Sequence, residues 1–99
     1  MLPTDKSACI QIVNEKEVSV NDTKYVVNMV AHENIKFSNI YITTDKSYVF
    51  KHVTSYLEYN VFEREIFLLE YLKNKNCDFV PEVIKYDITN KIIMMSYSG

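Results

Sequence analysis

Ninety-nine residues leave room for one hydrophobic core and not two, and 47% hydrophobic with 24% charged residues is globular rather than disordered composition. Eleven Lys and Arg against 13 Asp and Glu give a formal charge of −2, so no global basic field directs the chain to nucleic acid. Gly99 is the only glycine, which leaves almost no material for a phosphate loop built from glycines.

Cys9, Cys77, His32 and His52 are too dispersed for a zinc-type ligand spacing, so the sequence predicts no metal site. The two cysteines read as reduced thiols of a cytoplasmic protein, with a disulfide between them left open. The N-terminal stretch lacks a charged segment followed by a long apolar run. No window reaches 18 uninterrupted apolar residues, so neither a secretory signal nor a membrane span is expected.

In chain order, residues 1–24 read as an extension with one weak strand around Cys9–Val13, followed by a polar stretch, Asn14–Lys24. The main domain is expected over residues 25–99. Tyr25–Val30 is a β-rich run, and His32–Lys36 reads as a turn or loop. Asn39–Thr43 and Tyr48–Val53 are strand candidates joined by Thr44-Asp45-Lys46-Ser47, a link with the composition of a four-residue hairpin loop. Alternation in the second of these puts Val49, Lys51 and Val53 on one face and Tyr48, Phe50 and His52 on the other.

Leu57–Lys73 is rich in Glu, Leu and Arg without Gly or Pro, and reads as a helix of four to five turns. Val61, Phe62, Leu68, Leu69 and Leu72 fall on one stripe, with Glu65 inside it. A carboxylate on an apolar face is costly to bury without a cation. After basic and polar residues at Lys73–Asn76 come a strand candidate at Glu82–Tyr86, a turn at Asp87–Lys91 and a last strand at Ile92–Tyr97. Its continuous run Ile92-Ile93-Met94-Met95 suggests burial on both faces. The expected fold is therefore α+β: an antiparallel sheet of about five strands with one long helix between strands 3 and 4.

That order, with a lysine near the end of the third strand and a glutamate on the helix, resembles the N-terminal lobe of protein kinases and their relatives. Tyr48-Val49-Phe50-Lys51 is similar to the family's Val-Ala-Ile-Lys strand, and Arg64-Glu65-Ile66-Phe67-Leu68-Leu69 to the helix whose glutamate pairs with that lysine. Phe79-Val80-Pro81-Glu82-Val83-Ile84 resembles the entry to the fourth strand in the small-molecule and atypical branches, and Ile93–Gly99 the fifth strand and hinge. The resemblance implies ATP as the ligand. Lys51 would hold its phosphates, Glu65 would orient Lys51, and Val49 and Ile40 would cover the adenine. Met95 would stand as gatekeeper, with Tyr97 and Ser98 at the hinge. Pairing Lys51 with Glu65 would also solve both burial problems at once.

Two departures accompany the resemblance. Glu33–Ile40 stands where the family has Gly-x-Gly-x-Phe-Gly-x-Val; Phe37 and Ile40 fit, but no glycine remains. No His-Arg-Asp or Asp-Phe-Gly occurs, so the catalytic and metal-binding groups of a C-terminal lobe are missing. The resemblance thus implies a truncated or partial kinase-like nucleotide-binding lobe that is not catalytically competent alone and that works with a separate C-lobe. The alternative is a non-catalytic, pseudokinase-like interaction module that docks on a protein partner or forms a homo-oligomer, using an apolar under-surface that includes Met94 and Met95. A third reading is an unrelated small domain in which Lys51 and Glu65 are solvated or form a simple ion pair. His32 and His52 carry no assigned role.

Overall fold

The computed structural model describes residues 4–30, 38–53, 61–76 and 80–97. A short 3-10 turn at Thr4–Lys6 leads into β1 (Ile10–Asn14), β2 (Glu17–Val20), β3 (Thr23–Val30), β4 (Ser38–Thr43) and β5 (Tyr48–Val53). Then follow α1 (Val61–Asn74), β6 (Val83–Asp87) and β7 (Ile92–Ser96). The strands form one antiparallel sheet in the order β1-β2-β3-β4-β5-β7-β6.

This corrects the expected five-stranded sheet with its helix between strands 3 and 4. The sheet has seven strands among the described residues, and the helix follows the fifth. The difference lies before Tyr25, where one weak strand was expected and a hairpin, β1–β2, leads straight into β3. Its second turn, Asn21-Asp22, has positive φ at both residues (47° and 72°), the geometry of a two-residue hairpin turn that normally carries Asn-Gly or Asp-Gly. Asn and Asp tolerate the left-handed region, so the turn forms without the glycine that would have announced it.

The same economy of glycine recurs at Lys46, Asn76 and Lys91, with φ of 60°, 61° and 58°. Asn76 ends α1 in the left-handed conformation, its N–H donating to Lys73 O at 3.1 Å. Lys46 sits in the β4–β5 hairpin. There the Thr43 hydroxyl accepts the N–H groups of Ser47 and Tyr48, both at 3.0 Å, and Asp45 Oδ1 also accepts Ser47 N–H. A side chain in the left-handed region costs about 1–2 kcal/mol, part of which a glycine returns as unfolded-chain entropy. Lys46→Gly is therefore expected to stabilise the chain by roughly 0.5–1 kcal/mol in urea unfolding; a loss of stability would contradict the strained turn.

The sheet curls until its two outer strands meet at one corner. Ser7 forms a parallel bridge with Tyr86, and Ala8 N–H donates to Tyr86 O at 2.9 Å. Asp87 Oδ2 accepts Ile10 N–H at 2.8 Å, and Asn90 Nδ2 donates to Ile10 O at 2.8 Å. Curling creates two cores. Ile10, Val18, Val20, Val27, Tyr41, Phe50, Ile92 and Met94 fill the concave side. On the other side Val53, Val83, Tyr86, Ile93 and Met95 pack against Phe62 and Ile66 of α1.

β7 lies between the two cores, which explains its unbroken apolar run: even positions face the hairpin side and odd positions face the helix. Met94 and Met95 are consequently 2% and 7% exposed, which corrects the expectation that they line an open apolar under-surface. The helix stripe is also corrected. Ile66 is fully buried, whereas Leu68 is 54% exposed and shares the outer face with Phe67 and Tyr71. Leu57–Asn60, the expected first turn of that helix, and the loop Glu33–Phe37 lie outside the described residues, as do His32, Cys77, Phe79 and Ser98–Gly99.

Candidate functional site

Strand pairing sets the candidate site. Residues directly opposite each other in an antiparallel pair project from the same face. Lys51 pairs with Ile40 on one side and Ile93 on the other; Val49 pairs with Ile42 and Met95. Two adjacent rows result, Ile40–Lys51–Ile93 and Ile42–Val49–Met95, on the face that carries α1. Lys51 is the only charged side chain in these rows.

Glu65 stands on α1 between Phe62, Ile66 and Leu69, which pack on that face. Its Oε1 lies 2.7 Å from Lys51 Nζ, and the two side chains are 24% and 25% exposed. Each half-buried charge thereby gains a partner, the condition under which a charge is tolerated at a packed face. An ammonium has three donors, and one is committed to Glu65. The other two can serve an anion arriving beside the pair, while the ion pair holds the ammonium in that place.

Ile40, Ile42 and Val49 are half-buried and form an apolar strip next to this cation. Ile42 was missed in the sequence reading, although alternation alone puts it on the face of Ile40. Met95 closes the strip at its buried end. Tyr97 follows β7 directly, and its N–H donates to Ser47 O at 3.1 Å, so that amide is not free to meet the edge of a base. Ser96 N–H is likewise taken by Glu82 O at 2.9 Å. Of the six nominated residues, the structure thus brings Ile40, Val49, Lys51, Glu65 and Met95 to one face and places Tyr97 at its margin.

His52 lies on the opposite face of β5, beside a groove of about 460 Å³ that is also lined by Gln11, Ile12, Val13 and Asn90. Burial lowers its pKa from the usual 6.5. The unfolded chain then binds more protons than the folded one as pH falls through 6.5, so the His52 contribution is full above that pH and is lost below it. A shallow decline in stability below pH 6.5 is expected, well under the limit of ~1.4 kcal/mol per pH unit for one proton because the ring is partly solvated. Denaturant midpoints measured from pH 7.5 to 5 should show this component in the wild type and lose it in His52→Gln. An unchanged profile in the variant would refute it.

Cys9 is a free, exposed thiol. Among the described residues no group of three His, Cys, Asp or Glu side chains converges to hold a metal ion, and no helix is long and apolar enough to cross a membrane. Compared with protein-family models, curated proteins and solved structures, the chain finds no match.

Proposed function

We propose that the chain is a nucleotide-binding lobe similar to the N-terminal lobe of protein kinases, with ATP as its ligand. The observation that carries the reading is the Lys51–Glu65 ion pair at 2.7 Å, a strand lysine held by a helix glutamate beside an apolar strip. Lys51 binds the α- and β-phosphates, Glu65 orients it, and Ile40, Ile42 and Val49 cover the adenine with Met95 behind them. Tyr97 borders the adenine edge.

Phosphoryl transfer needs more than this face. It depends on positioned nucleophile and metal-held charge, and the 99 residues carry neither a His-Arg-Asp nor an Asp-Phe-Gly motif. The lobe binds and orients nucleotide, and transfer draws on a second lobe. Thermal unfolding with magnesium and ATP tests the binding. For a dissociation constant on the order of 0.3 mM, 1 mM nucleotide adds roughly 0.9 kcal/mol, or about 4–7 °C in a domain of this size. Lys51→Met is expected to abolish that shift. No shift at millimolar ATP in the wild type would remove nucleotide binding from the account.

A second reading, a partner-docking module without catalytic use of the cleft, is favoured by the outer face of α1. Phe67, Leu68 and Tyr71 are each more than half exposed there. Absence of the nucleotide-dependent shift would leave this second reading in place.

A further inference from the structure

We propose that residues 4–9, leading into β1, form a strap that sets the rotational position of α1, with Lys6 and Glu70 as positioning residues for Glu65. The proposal rests on the nucleotide-site reading for its functional consequence, but its structural content stands apart from it.

The need for such a device lies in the helix itself. Phe62, Ile66 and Leu69 make one apolar face, and Phe67, Leu68 and Tyr71 make another. Hydrophobic burial is non-directional and roughly proportional to area, so the second apolar face offers the helix a competing way to pack. Only one rotational position carries Glu65 to Lys51. Charged pairs, which need a specific geometry, can make the choice.

Two such pairs hold the helix, from different directions. Lys51 reaches Glu65 from the sheet beneath. Lys6 Nζ, in the 3-10 turn, lies 2.7 Å from Glu70 Oε1, with side-chain exposures of 24% and 27% that match those of the site pair. Glu70 comes five positions after Glu65, which is about 7.5 Å along the axis and about 140° around it. One ion pair allows a helix to swivel about the contact; a second, displaced in both coordinates, removes that freedom.

The strap is itself anchored on the edge of the sheet. After Lys6 come the Ser7–Tyr86 bridge, the Ala8 N–H bond to Tyr86 O and the capture of Ile10 by Asp87 and Asn90. Tyr86 also packs edge-on against Phe62, with ring centroids 6.5 Å apart. The strap thus meets α1 directly at Glu70 and through Tyr86 at Phe62.

The test uses the full chain with Lys6→Glu, Glu70→Lys and the combined swap. Amide exchange of α1 is compared with that of the β4–β5 hairpin, and magnesium-ATP affinity is measured in parallel. Each single reversal is expected to speed exchange in α1 about two- to fivefold while leaving the hairpin unchanged, and to weaken nucleotide affinity by a similar factor. The swap restores both. Unchanged α1 exchange in both single variants would overturn the strap, as would equal acceleration in helix and hairpin, which signals general destabilisation. Faster α1 exchange with unaltered nucleotide affinity would overturn the positioning role. If the wild type binds no nucleotide while the exchange pattern and its rescue hold, the strap stands and the nucleotide reading falls.

Discussion

Asp87→Ala is expected to lower the unfolding free energy by about 3 kcal/mol. Asp87 is 6% exposed and serves both ends of a corner. Its Oδ2 accepts Ile10 N–H at 2.8 Å and Asn90 Nδ2 at 3.1 Å, while Oδ1 accepts Asn90 N–H at 3.0 Å. Asn90 Nδ2 also donates to Ile10 O. The β6–β7 turn therefore satisfies both backbone groups of Ile10, as a neighbouring strand would. A hydrogen bond to a charged acceptor contributes about 1.5–3 kcal/mol, and an orphaned buried amide costs about 1–3 kcal/mol. The bonds share atoms and do not add in full, which sets the estimate toward the lower end of the combined range. Asp87→Asn keeps the shape and one acceptor but turns a donor toward Ile10 N–H or Asn90, so it is expected to recover only part of the loss. Urea unfolding decides the matter: a loss below ~1 kcal/mol for the alanine variant would mean that this corner does not hold the curled sheet closed.

The dependence of that corner on residues 77 positions apart shows where sequence reading stops. The β4–β5 hairpin was legible because two runs of β-branched and aromatic residues flank a four-residue link of turn residues, and β5 spans the expected Tyr48–Val53. Lys51 and Glu65 were legible as candidates because each is a charge at an apolar position, an anomaly visible on a single element. β1 and β2 were not separable, since their turns fall on Glu15-Lys16 and Asn21-Asp22 with no glycine to mark either reversal, and the alternation Glu17-Val18-Ser19-Val20 spans only four residues. The unbroken apolar run of β7 signals burial on both faces, as the structure has it. With that hairpin unseen, however, nothing indicated what covers Met94, and only the docking alternative left Met94 and Met95 on an open under-surface. Lys6 and Glu70 carried no local signal at all. A lysine near a terminus and a glutamate on a helix are ordinary solvated residues until tertiary structure brings them together.

Phe62→Ala and Phe67→Ala, the same substitution on one helix, are expected to differ by several-fold in effect. Phe62 is fully buried between Tyr86 and the β7 side chains, and the Lys91 ammonium lies 5.6 Å from its ring centroid; Phe67 is 58% exposed. Truncating a buried phenylalanine forfeits its transfer free energy and leaves a cavity, together about 3–5 kcal/mol. An exposed phenylalanine loses little, about 0.5 kcal/mol or less. Against a total stability of roughly 5–15 kcal/mol, the first loss leaves a marginal fold and the second is nearly silent. Ile66→Ala and Leu68→Ala form the parallel pair, and they separate the two stripes the helix could present: the sequence periodicity favours Leu68 inside, the structure Ile66. Chemical denaturation of all four variants checks the assignment. Equal losses at Phe62 and Phe67 would mean that α1 does not occupy one rotational position, and Glu65 would then reach Lys51 only part of the time. Large losses at Phe62 and Ile66 alone fix the helix in the position that makes the ion pair, so packing and charge would point to the same register.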